Sequence, residues 1–339
     1  MKRILLVLCL ILPVTAQAQK QKKDNFFTDL NDFLEMRSAK SYAKQDTSYV
    51  DRYPYIWDAR AFLNTTGLHL KTAGISDADL STGMISRAGV SVSYRGLAMS
   101  YSVALGKRLN FDFGLSSYGS KFGFEYALRA TTALQGTINA PGISERKPEA
   151  GDMTLFASNL NLFYNFNPRF SYAAAMKQSR IQRRSAGSFI AAVSWTVWDI
   201  YGAGPDILSK ETSLQTILNQ PNVLYDRISI GAGYGYNLVL GQARWLLHTS
   251  FIPMWTFYES SLQSQDGIST RTRYPMGHIA FMGTGRAGIY YRWGSRWSVG
   301  LSGVLNQMVS KNYVNPTAED YQRFGSQDWQ ARLSVGFRF

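Results

Sequence analysis

The chain of 339 residues holds a single cysteine, Cys9. Cys9 lies in an apolar stretch from Ile4 to Val14, which follows a basic start and precedes Ala16-Gln17-Ala18, a small-residue cleavage site. This order predicts a secretory signal peptide over residues 1–18. The exported chain then has no thiol, which excludes disulfides, thiolate metal sites and cysteine nucleophiles.

Long apolar runs are also missing. Beyond the apolar stretch of the signal peptide, no segment approaches the roughly 20 apolar residues that a transmembrane helix needs, and the mean hydropathy is slightly negative. This excludes a helical membrane protein. A transmembrane β-barrel fits the same composition, because half of each strand faces a polar lumen. Aromatic residues at 14% and 29 glycines suit interfacial girdles and close strand packing.

Acidic residues are scarce relative to basic ones, with 23 Asp and Glu against 36 Lys and Arg and a net charge of +13. In an exported chain this excess does not predict nucleic-acid binding. The expected counter-charges are anionic lipid head groups and lipopolysaccharide phosphates. The alternative is that arginines pair with acidic residues inside a lumen. The net charge bears on what the protein associates with and does not indicate its fold.

The last residues of the sequence alternate without a break between apolar and polar side chains. Gln330, Arg332, Ser334, Gly336 and Arg338 fall on the face of a strand opposite to the apolar residues. The pattern resembles the C-terminal insertion signal of bacterial outer-membrane barrels. It predicts the outer membrane of a Gram-negative bacterium, with the barrel assembly machinery as a partner. The signal would consist of Trp329, Leu333, Val335, Phe337 and Phe339.

Similar alternation recurs along the chain, for example in Val90, Val92 and Tyr94 against Gly89, Ser91 and Ser93. About thirteen runs alternate, whereas bacterial single-chain barrels have even strand numbers. We therefore predict an all-β, antiparallel up-and-down barrel of twelve strands over residues 55–339, with ten or fourteen as alternatives. The doubtful regions are Tyr118 to Lys121 and Gln178 to Ala186.

The connections between the predicted strands differ in length, as in transmembrane barrels, where short turns face the periplasm and long loops the exterior. The tight ones are Asn165 to Arg169, Leu240 to Gln242 and Gly294 to Arg296. The long ones are Leu134 to Asp152, Asp199 to Tyr225, Glu259 to Pro275 and Ser310 to Gln327.

Residues 19–54 form a polar segment ahead of the barrel. Phe26, Leu30, Phe33 and Leu34 share one face of a predicted helix. The segment is a periplasmic helix, a partial lumen plug, or a loosely held amphipathic tail.

Two motifs resemble an uncharacterised outer-membrane family found mainly in Bacteroidetes and known only as a domain of unknown function. They are Lys177-Gln178 leading through Gln182-Arg183-Arg184 to Phe189, and Ser117 to Gly123. The similarity runs from about Asp51 to Phe339. The resemblance implies a barrel and its compartment, and it implies no activity.

Catalytic chemistry has one candidate in this sequence, the pair His248 and Ser250. Residues two apart on a strand share a face, so an imidazole base can lie beside a hydroxyl nucleophile. A similar pair serves outer-membrane lipid A deacylases, and Glu259 is a weak nominee for the acid. The alternative is an ordinary polar lining. The three histidines are not at metal-ligand spacing, and we expect neither a metal nor a cofactor.

Charged side chains supply further candidates for binding. Asp77 and Asp79 lack the glycine and distal glutamate of a calcium loop, which favours a polar turn. The basic stretch Lys177, Arg180, Arg183 and Arg184 would contact anionic lipid, form a charge constriction in the lumen, or lie in a solvated turn. The side chains predicted to face the lumen and form ion-pair ladders are Arg95, Asp112, Glu125, Arg129, Arg286, Arg292, Arg332 and Arg338.

Three functional classes remain open from the sequence. The first is a porin-like narrow channel or a structural, surface-binding scaffold, with a lumen filled by side chains. The second is a lipid-modifying acyl hydrolase that uses His248 and Ser250. The third is a module that binds lipopolysaccharide or a partner protein. The sequence leaves the oligomeric state and the solute open.

Overall fold

The computed structural model describes residues 26–74, 77–106, 110–140, 143–202, 222–265, 268–273, 278–312 and 322–339. The predicted signal peptide lies outside these residues. In chain order the elements are α1 (Phe26–Tyr42), β1 (Val50–Arg52), β2 (Trp57–Gly74), β3 (Asp77–Ser81), β4 (Ile85–Tyr94), β5 (Leu97–Ala104), β6 (Asn110–Tyr118), β7 (Phe122–Thr131), β8 (Gln135–Ala140), β9 (Ile143–Arg146), β10 (Met153–Asn165), α2 (Tyr172–Met176), β11 (Arg180–Gln182), β12 (Ala186–Gly202), β13 (Asn222–Leu240), β14 (Trp245–Gln265), β15 (Ile268–Arg273), β16 (His278–Trp293), β17 (Trp297–Asn312) and β18 (Gln322–Arg338).

Twelve antiparallel strands close into a barrel, which confirms the predicted fold class and strand number. They are β2, β4, β5, β6, β7, β10, β12, β13, β14, β16, β17 and β18. The last strand pairs with the first, with Arg338 opposite Asp58, and the amides of Trp57 and Phe339 exchange hydrogen bonds at 3.2 and 3.1 Å. Closure removes the unpaired edges that an open sheet would expose. No helix among the described residues is both long and apolar enough to cross a membrane.

The outer surface of the barrel is apolar along the predicted faces. Val90, Val92, Met99, Tyr101 and Val103 are exposed there. A ladder of aromatic rings follows one rim, with neighbouring centroids 4.5 to 6.4 Å apart, in the order Tyr94, Trp57, Phe339, Phe337, Trp297, Trp293, Tyr291 and Trp245. Such a girdle is typical of barrel residues at a membrane interface. The C-terminal Phe337 and Phe339 are therefore part of this girdle.

The two ends of the barrel differ. One end, called the turn end here, carries short turns such as Arg95–Gly96, Gly241–Arg244 and Gly294–Arg296, together with both ends of the barrel chain. The other end, the loop end, carries longer connections. There the strands run further than the sequence predicted, because β12 continues to Gly202 and β14 to Gln265, and β3, β8, β9 and β15 add short hairpin strands.

The predicted tight turn from Asn165 to Arg169 is wrong. Between β10 and β12 the chain inserts Phe166–Ser185, which we call the plug and which contains α2 and β11. Phe170, Tyr172 and Ala173 to Ala175 are buried against the inner wall of the barrel. The doubtful region from Gln178 to Ala186 therefore supplies no barrel strand before Ala186. In contrast, the turn around Gly119 does separate β6 from β7.

Helix α1 and strand β1 cover the plug at the turn end. Strand β1 pairs with β11 of the plug, and the amide of Asp46 donates to Pro168 O at 3.2 Å. Helix α1 docks on the barrel rim, where the amide of Ser120 donates to the Ser41 hydroxyl at 2.7 Å. Residues 26–52 are thus held as a layer against the plug and the barrel rim.

Candidate functional site: the plugged lumen

The lumen above the plug is a cavity with an empty volume of about 1900 Å³ that is open to solvent. Met176, Lys177 and Gln178, at the tip of the plug, form part of its lining. Six basic and three acidic side chains line the cavity: Arg60, Arg129, Lys177, Arg227, Arg286 and Arg332, against Asp112, Glu125 and Asp328. Among the described residues, the charge of the cavity wall is therefore predominantly positive.

Strand β7 is tied across the lumen by two sets of ion pairs. Glu125 accepts two hydrogen bonds from Arg286 of β16, at 2.8 and 2.7 Å. Four residues further along β7, Arg129 donates to Asp112 of the adjacent strand β6 at 2.9 Å and to Asp328 of β18 at 3.0 Å. Strands β16 and β18 lie on the opposite wall in the barrel order. These pairs narrow the path between the plug and the loop end.

Arg227 and Arg332 form no ion pair with a described carboxylate, and both keep unused donors. The Nε of Arg332 and both Nε and Nη1 of Arg227 are buried without a hydrogen-bond partner. Arg332 stacks on Phe62 at 4.1 Å and Arg227 on Trp198 at 4.7 Å from the ring centroids. Aromatic faces hold a guanidinium in place without neutralising it. Lys177 likewise forms no ion pair with a described carboxylate.

The sequence predicted eight charged side chains on the lumen wall, and in the structure five of them line the lumen cavity. Asp112, Glu125, Arg129, Arg286 and Arg332 line the cavity. Arg338 and Arg292 lie at the turn end of the same inner face, where Arg338 pairs with Asp58 at 3.3 Å and Arg292 donates to Ala243 O at 3.0 Å.

The lumen prediction for Arg95 is wrong. Arg95 and Gly96 both have positive φ, 48° and 87°, and form the two-residue hairpin turn between β4 and β5. A two-residue turn of this kind needs positive φ at both positions. The strand therefore ends one residue earlier than the alternation suggested. At the rim, Arg95 pairs with Glu35 of α1 at 3.1 Å.

The four residues of the basic stretch predicted to contact anionic lipid all belong to the plug, but they face different surroundings. Lys177 lines the lumen cavity, and Arg180 is covered by β1 and α1, so neither side chain lies on the outer face of the barrel wall. Arg183 and Arg184 are exposed at the turn end. Arg183 binds Asp51, and although burial works the other way, this contact and the Arg52 amide hold the pKa of Asp51 below its ordinary value.

His248 and Ser250 do come together, with Nε2 3.1 Å from the hydroxyl oxygen. Asn237 supplies the third group that the sequence did not reveal, with its Oδ1 2.8 Å from Nδ1 of His248. The side chains point to the inner wall, beneath Phe170 and Tyr172 of the plug, and His248 is only 3% exposed. The exposed, apolar outer face of the barrel lies on the other side of the strand, where Phe251 projects. Glu259 is near the loop end, far along β14 from His248.

These polar residues anchor the plug. Asn237 donates to Ser171 O at 3.0 Å and to Gln182 Oε1 at 3.1 Å. Gln182 in turn accepts from the Ser171 amide at 2.9 Å and donates to Arg169 O at 2.7 Å and Arg184 O at 2.9 Å. At the tip, Gln178 is held by Arg60 at 3.2 Å and by Arg338 at 2.9 Å.

A family model for a domain of unknown function, DUF4421, matches residues 44–339. The chain belongs to this family. A search of the curated proteins gave no match. Among solved structures, the outer-membrane protease OmpT of Escherichia coli matches at 9% identity and a TM-score of 0.41, over 84% of this chain and 97% of that one. The Pseudomonas putida toluene transporter TodX matches at 10% identity and 0.32, over 84% and 90%. OprG of Pseudomonas aeruginosa matches at 10% and 0.26, over 85% and 98%.

In this DUF4421 chain, the two motifs that carried the family resemblance meet at the plug. Lys177 to Arg184 are plug residues, and Tyr118 of the second motif packs edge-on against Tyr172 at 5.6 Å. The Tyr118 hydroxyl also hydrogen-bonds Glu125. The motifs thus belong to one structural unit, the docked plug and its socket.

Asp58, Arg60 and Arg87 are inner-wall residues that were not predicted from the sequence. Arg60 binds Asp58 at 2.6 Å, and the fully buried Arg87 binds Asn110 at 2.8 Å and Asp112 at 3.4 Å. Asp58 and Arg60 are two residues apart, so they share one face of β2. This spacing could have predicted a charged pair on the inner face of the first barrel strand. The alternation along β13 also places Arg227 on the inner face, but nothing in the sequence distinguishes it from its small neighbours there.

Gly235, on the inner face of β13, leaves room for Phe170 of the plug. A Cβ there would lie 3.2 Å from Phe170 Cζ and 2.9 Å from Ile190 Cδ1. We expect Gly235→Val to displace Phe170 and loosen the plug, at a cost of about 1–3 kcal/mol for overpacking. Trypsin should then cleave after Arg169, Lys177 or Arg180, which mass spectrometry would detect.

The matched control is Gly303→Val, where a Cβ meets only Gln330 O at 3.6 Å. Cleavage in the plug at the same rate in wild type and Gly235→Val would show that Phe170 does not hold it.

Proposed function

We propose that this protein is an outer-membrane barrel of a Gram-negative bacterium that admits small anionic solutes into its lumen and controls their passage with the plug. The observation that carries the proposal is the surplus of positive charge on the wall of an open cavity whose floor is the plug tip. A wall of one sign raises the local concentration of oppositely charged solutes. The aromatic girdle and the length asymmetry of the connections support a membrane position, with the turn end in the periplasm.

Arg332 and Arg227 are suited to hold an anion because their free donors already lie in place. An anion that enters from the loop end meets Arg227 and Arg332 on the wall and Lys177 at the floor. The cross-lumen pairs of Glu125 and Arg129 restrict the path to small solutes. Lipids would contact the outer face, and the barrel assembly machinery would read the last strand through Trp329, Leu333, Val335, Phe337 and Phe339.

The hydrolase alternative is not adopted. His248, Ser250 and Asn237 have the distances of a catalytic triad, but they are buried beneath the plug and hydrogen-bond to it and to each other. An acyl chain in the membrane would meet Thr249 and Phe251, the outward neighbours on the same strand. The geometry therefore supports a structural role in holding the plug.

Reversal potentials in planar bilayers test the proposal. Under a salt gradient the wild-type protein should pass chloride in preference to potassium. Arg332→Glu should lower the ratio of anion to cation permeability, because it converts a free positive charge on the cavity wall into a negative one. Arg244→Glu changes an exposed turn residue outside the cavity and should leave the ratio unaltered.

If the wild-type protein is too rarely open for this measurement, the same substitutions can be compared in a barrel without the plug, which keeps Arg332. Cation preference, or equal ratios in the Arg332→Glu and Arg244→Glu proteins, would contradict an anion-selective lumen.

A further inference from the structure

A second cavity, with an empty volume of about 910 Å³ that is open to solvent, lies at the turn end between α1, β1, the plug and the barrel rim. It is separate from the lumen cavity and lies below the plug. Five arginines line it, and three of them come from three different elements: Arg37 of α1, Arg52 of β1 and Arg180 of β11. Hydroxyl groups of Ser38, Ser41, Ser93, Ser117 and Ser179 are also in its lining.

Arg52 and Arg180 are direct cross-strand neighbours in the small sheet formed by β1 and β11. Both guanidinium groups contact the same ring, with Cζ 4.1 Å and 5.3 Å from the centroid of Tyr42. Like charges placed directly opposite each other destabilise a sheet. The arrangement therefore needs a counter-charge, and Tyr42 offers only its π-face.

The described protein residues do not provide that counter-charge. Asp58 is the one carboxylate in the lining, and it is bound by Arg60 at 2.6 Å and Arg338 at 3.3 Å. Of the other two arginines in the lining, Arg338 is thus paired with Asp58, and Arg95 pairs with Glu35. No described carboxylate forms an ion pair with Arg37, Arg52 or Arg180, and the buried Nε of Arg52 has no hydrogen-bond partner.

Burial adds to the cost of these charges. Desolvation, with the neighbouring Arg52 as a second cause, lowers the pKa of Arg180 to about 10. Desolvation also lowers the pKa of Arg37. A bound anion would reverse both effects.

We propose that this cavity is a binding site for a phosphate-class oxyanion, clamped between Arg52 and Arg180 with Arg37 as a third donor. Guanidinium forks bind such oxyanions with paired, charge-assisted hydrogen bonds. The ligand is either free phosphate or a phosphomonoester in the periplasm, or the phosphate of a lipid head group at the rim. Because the three arginines belong to α1, β1 and the plug, the bound anion would fasten the outer layer to the plug.

Calorimetric titration with inorganic phosphate tests the site, using the full mature barrel in a zwitterionic detergent at constant ionic strength. The wild-type protein should show saturable binding and a rise in melting temperature with phosphate. Arg180→Gln should weaken binding roughly tenfold or more, the effect of losing hydrogen bonds to a charged group. Arg180→Lys, which keeps the charge without the fork, should give an intermediate affinity. Arg244→Gln, an exposed arginine at the same end, is the matched control.

A second readout separates a binding role from a structural one. Without phosphate, Arg180→Gln should melt no lower than wild type, because the substitution removes a like-charge repulsion. A heat-modifiability gel would verify that each variant is folded. Absence of saturable binding in wild type, or equal affinity in Arg180→Gln and Arg244→Gln, would overturn the proposal, whatever the conductance measurements show.

Nanodiscs distinguish the two sources of the phosphate. Phosphate titration that succeeds in phosphatidylcholine discs and fails in phosphatidylglycerol discs would identify a lipid head group as the occupant. Equal titration in both would identify a soluble ligand. Each result supports the oxyanion site, and failure in both kinds of disc would count against it.

Discussion

Replacing Arg286 by methionine should destabilise the barrel by about 3–5 kcal/mol, the usual cost of breaking a buried ion pair by removing one partner. Arg286 is 7% exposed, and its guanidinium donates one hydrogen bond to each carboxylate oxygen of Glu125. Without it, the carboxylate of Glu125 stays inside the lumen with only the Tyr118 hydroxyl as a described partner. Denaturant titration of the protein folded in lipid vesicles would measure the loss.

The double variant Glu125→Gln with Arg286→Met should recover much of this loss, because no uncompensated charge remains. Arg244→Met serves as the control for removing an exposed arginine and should change the stability little. A double variant as unstable as Arg286→Met alone would show that the ion pair is not the source of the effect. The stacking of Arg286 on Phe163, 5.0 Å from the ring centroid, would then be the better explanation.

Removal of the plug should change the lumen from a closed or rarely open state to a steadily conducting one. Replacing Pro168–Arg184 by a short Gly-Ser turn would remove α2, β11 and the tip that holds Lys177 and Gln178. Planar bilayers should then show stepwise, long-lived openings of larger conductance than in wild type. The physical reason is that Phe170, Tyr172 and the alanines of α2 occupy the lumen cross-section at the turn end.

Insertion of the same Gly-Ser turn at Gly241–Arg244 controls for altered chain connectivity at that end of the barrel. The Gly235→Val protein gives a second, less drastic route, because it keeps every plug residue and should open more often than wild type. A folded barrel without the plug that stays silent would contradict gating by the plug. It would assign the barrier to the cross-lumen pairs of Glu125 and Arg129.

The alternation of side chains, combined with the even strand number of bacterial barrels, led to the prediction of twelve strands, because a strand with lipid on one side and water on the other must alternate with period two. The same rule placed Asp112, Glu125 and Arg129 on one face of their strands. It erred by one residue at Arg95, since the alternation itself does not mark where a hairpin turn begins. It also read the segment after Asn165 as a turn, because a plug that folds back into the lumen has no repeating pattern of its own.

The partners of the polar side chains required the tertiary structure. The sequence placed His248 beside Ser250, but Asn237 comes from the neighbouring strand, and the burial of all three depends on a plug that the sequence did not predict. Likewise Glu125 and Arg286 lie far apart in the chain and meet only because closure brings β7 opposite β16. By itself the sequence determined the outer face of the strands and the inner position of most of the predicted lumen charges, since these follow from local periodicity. Which charges pair, which stay free, and what fills the lumen were decided by closure of the barrel and by the docking of the plug.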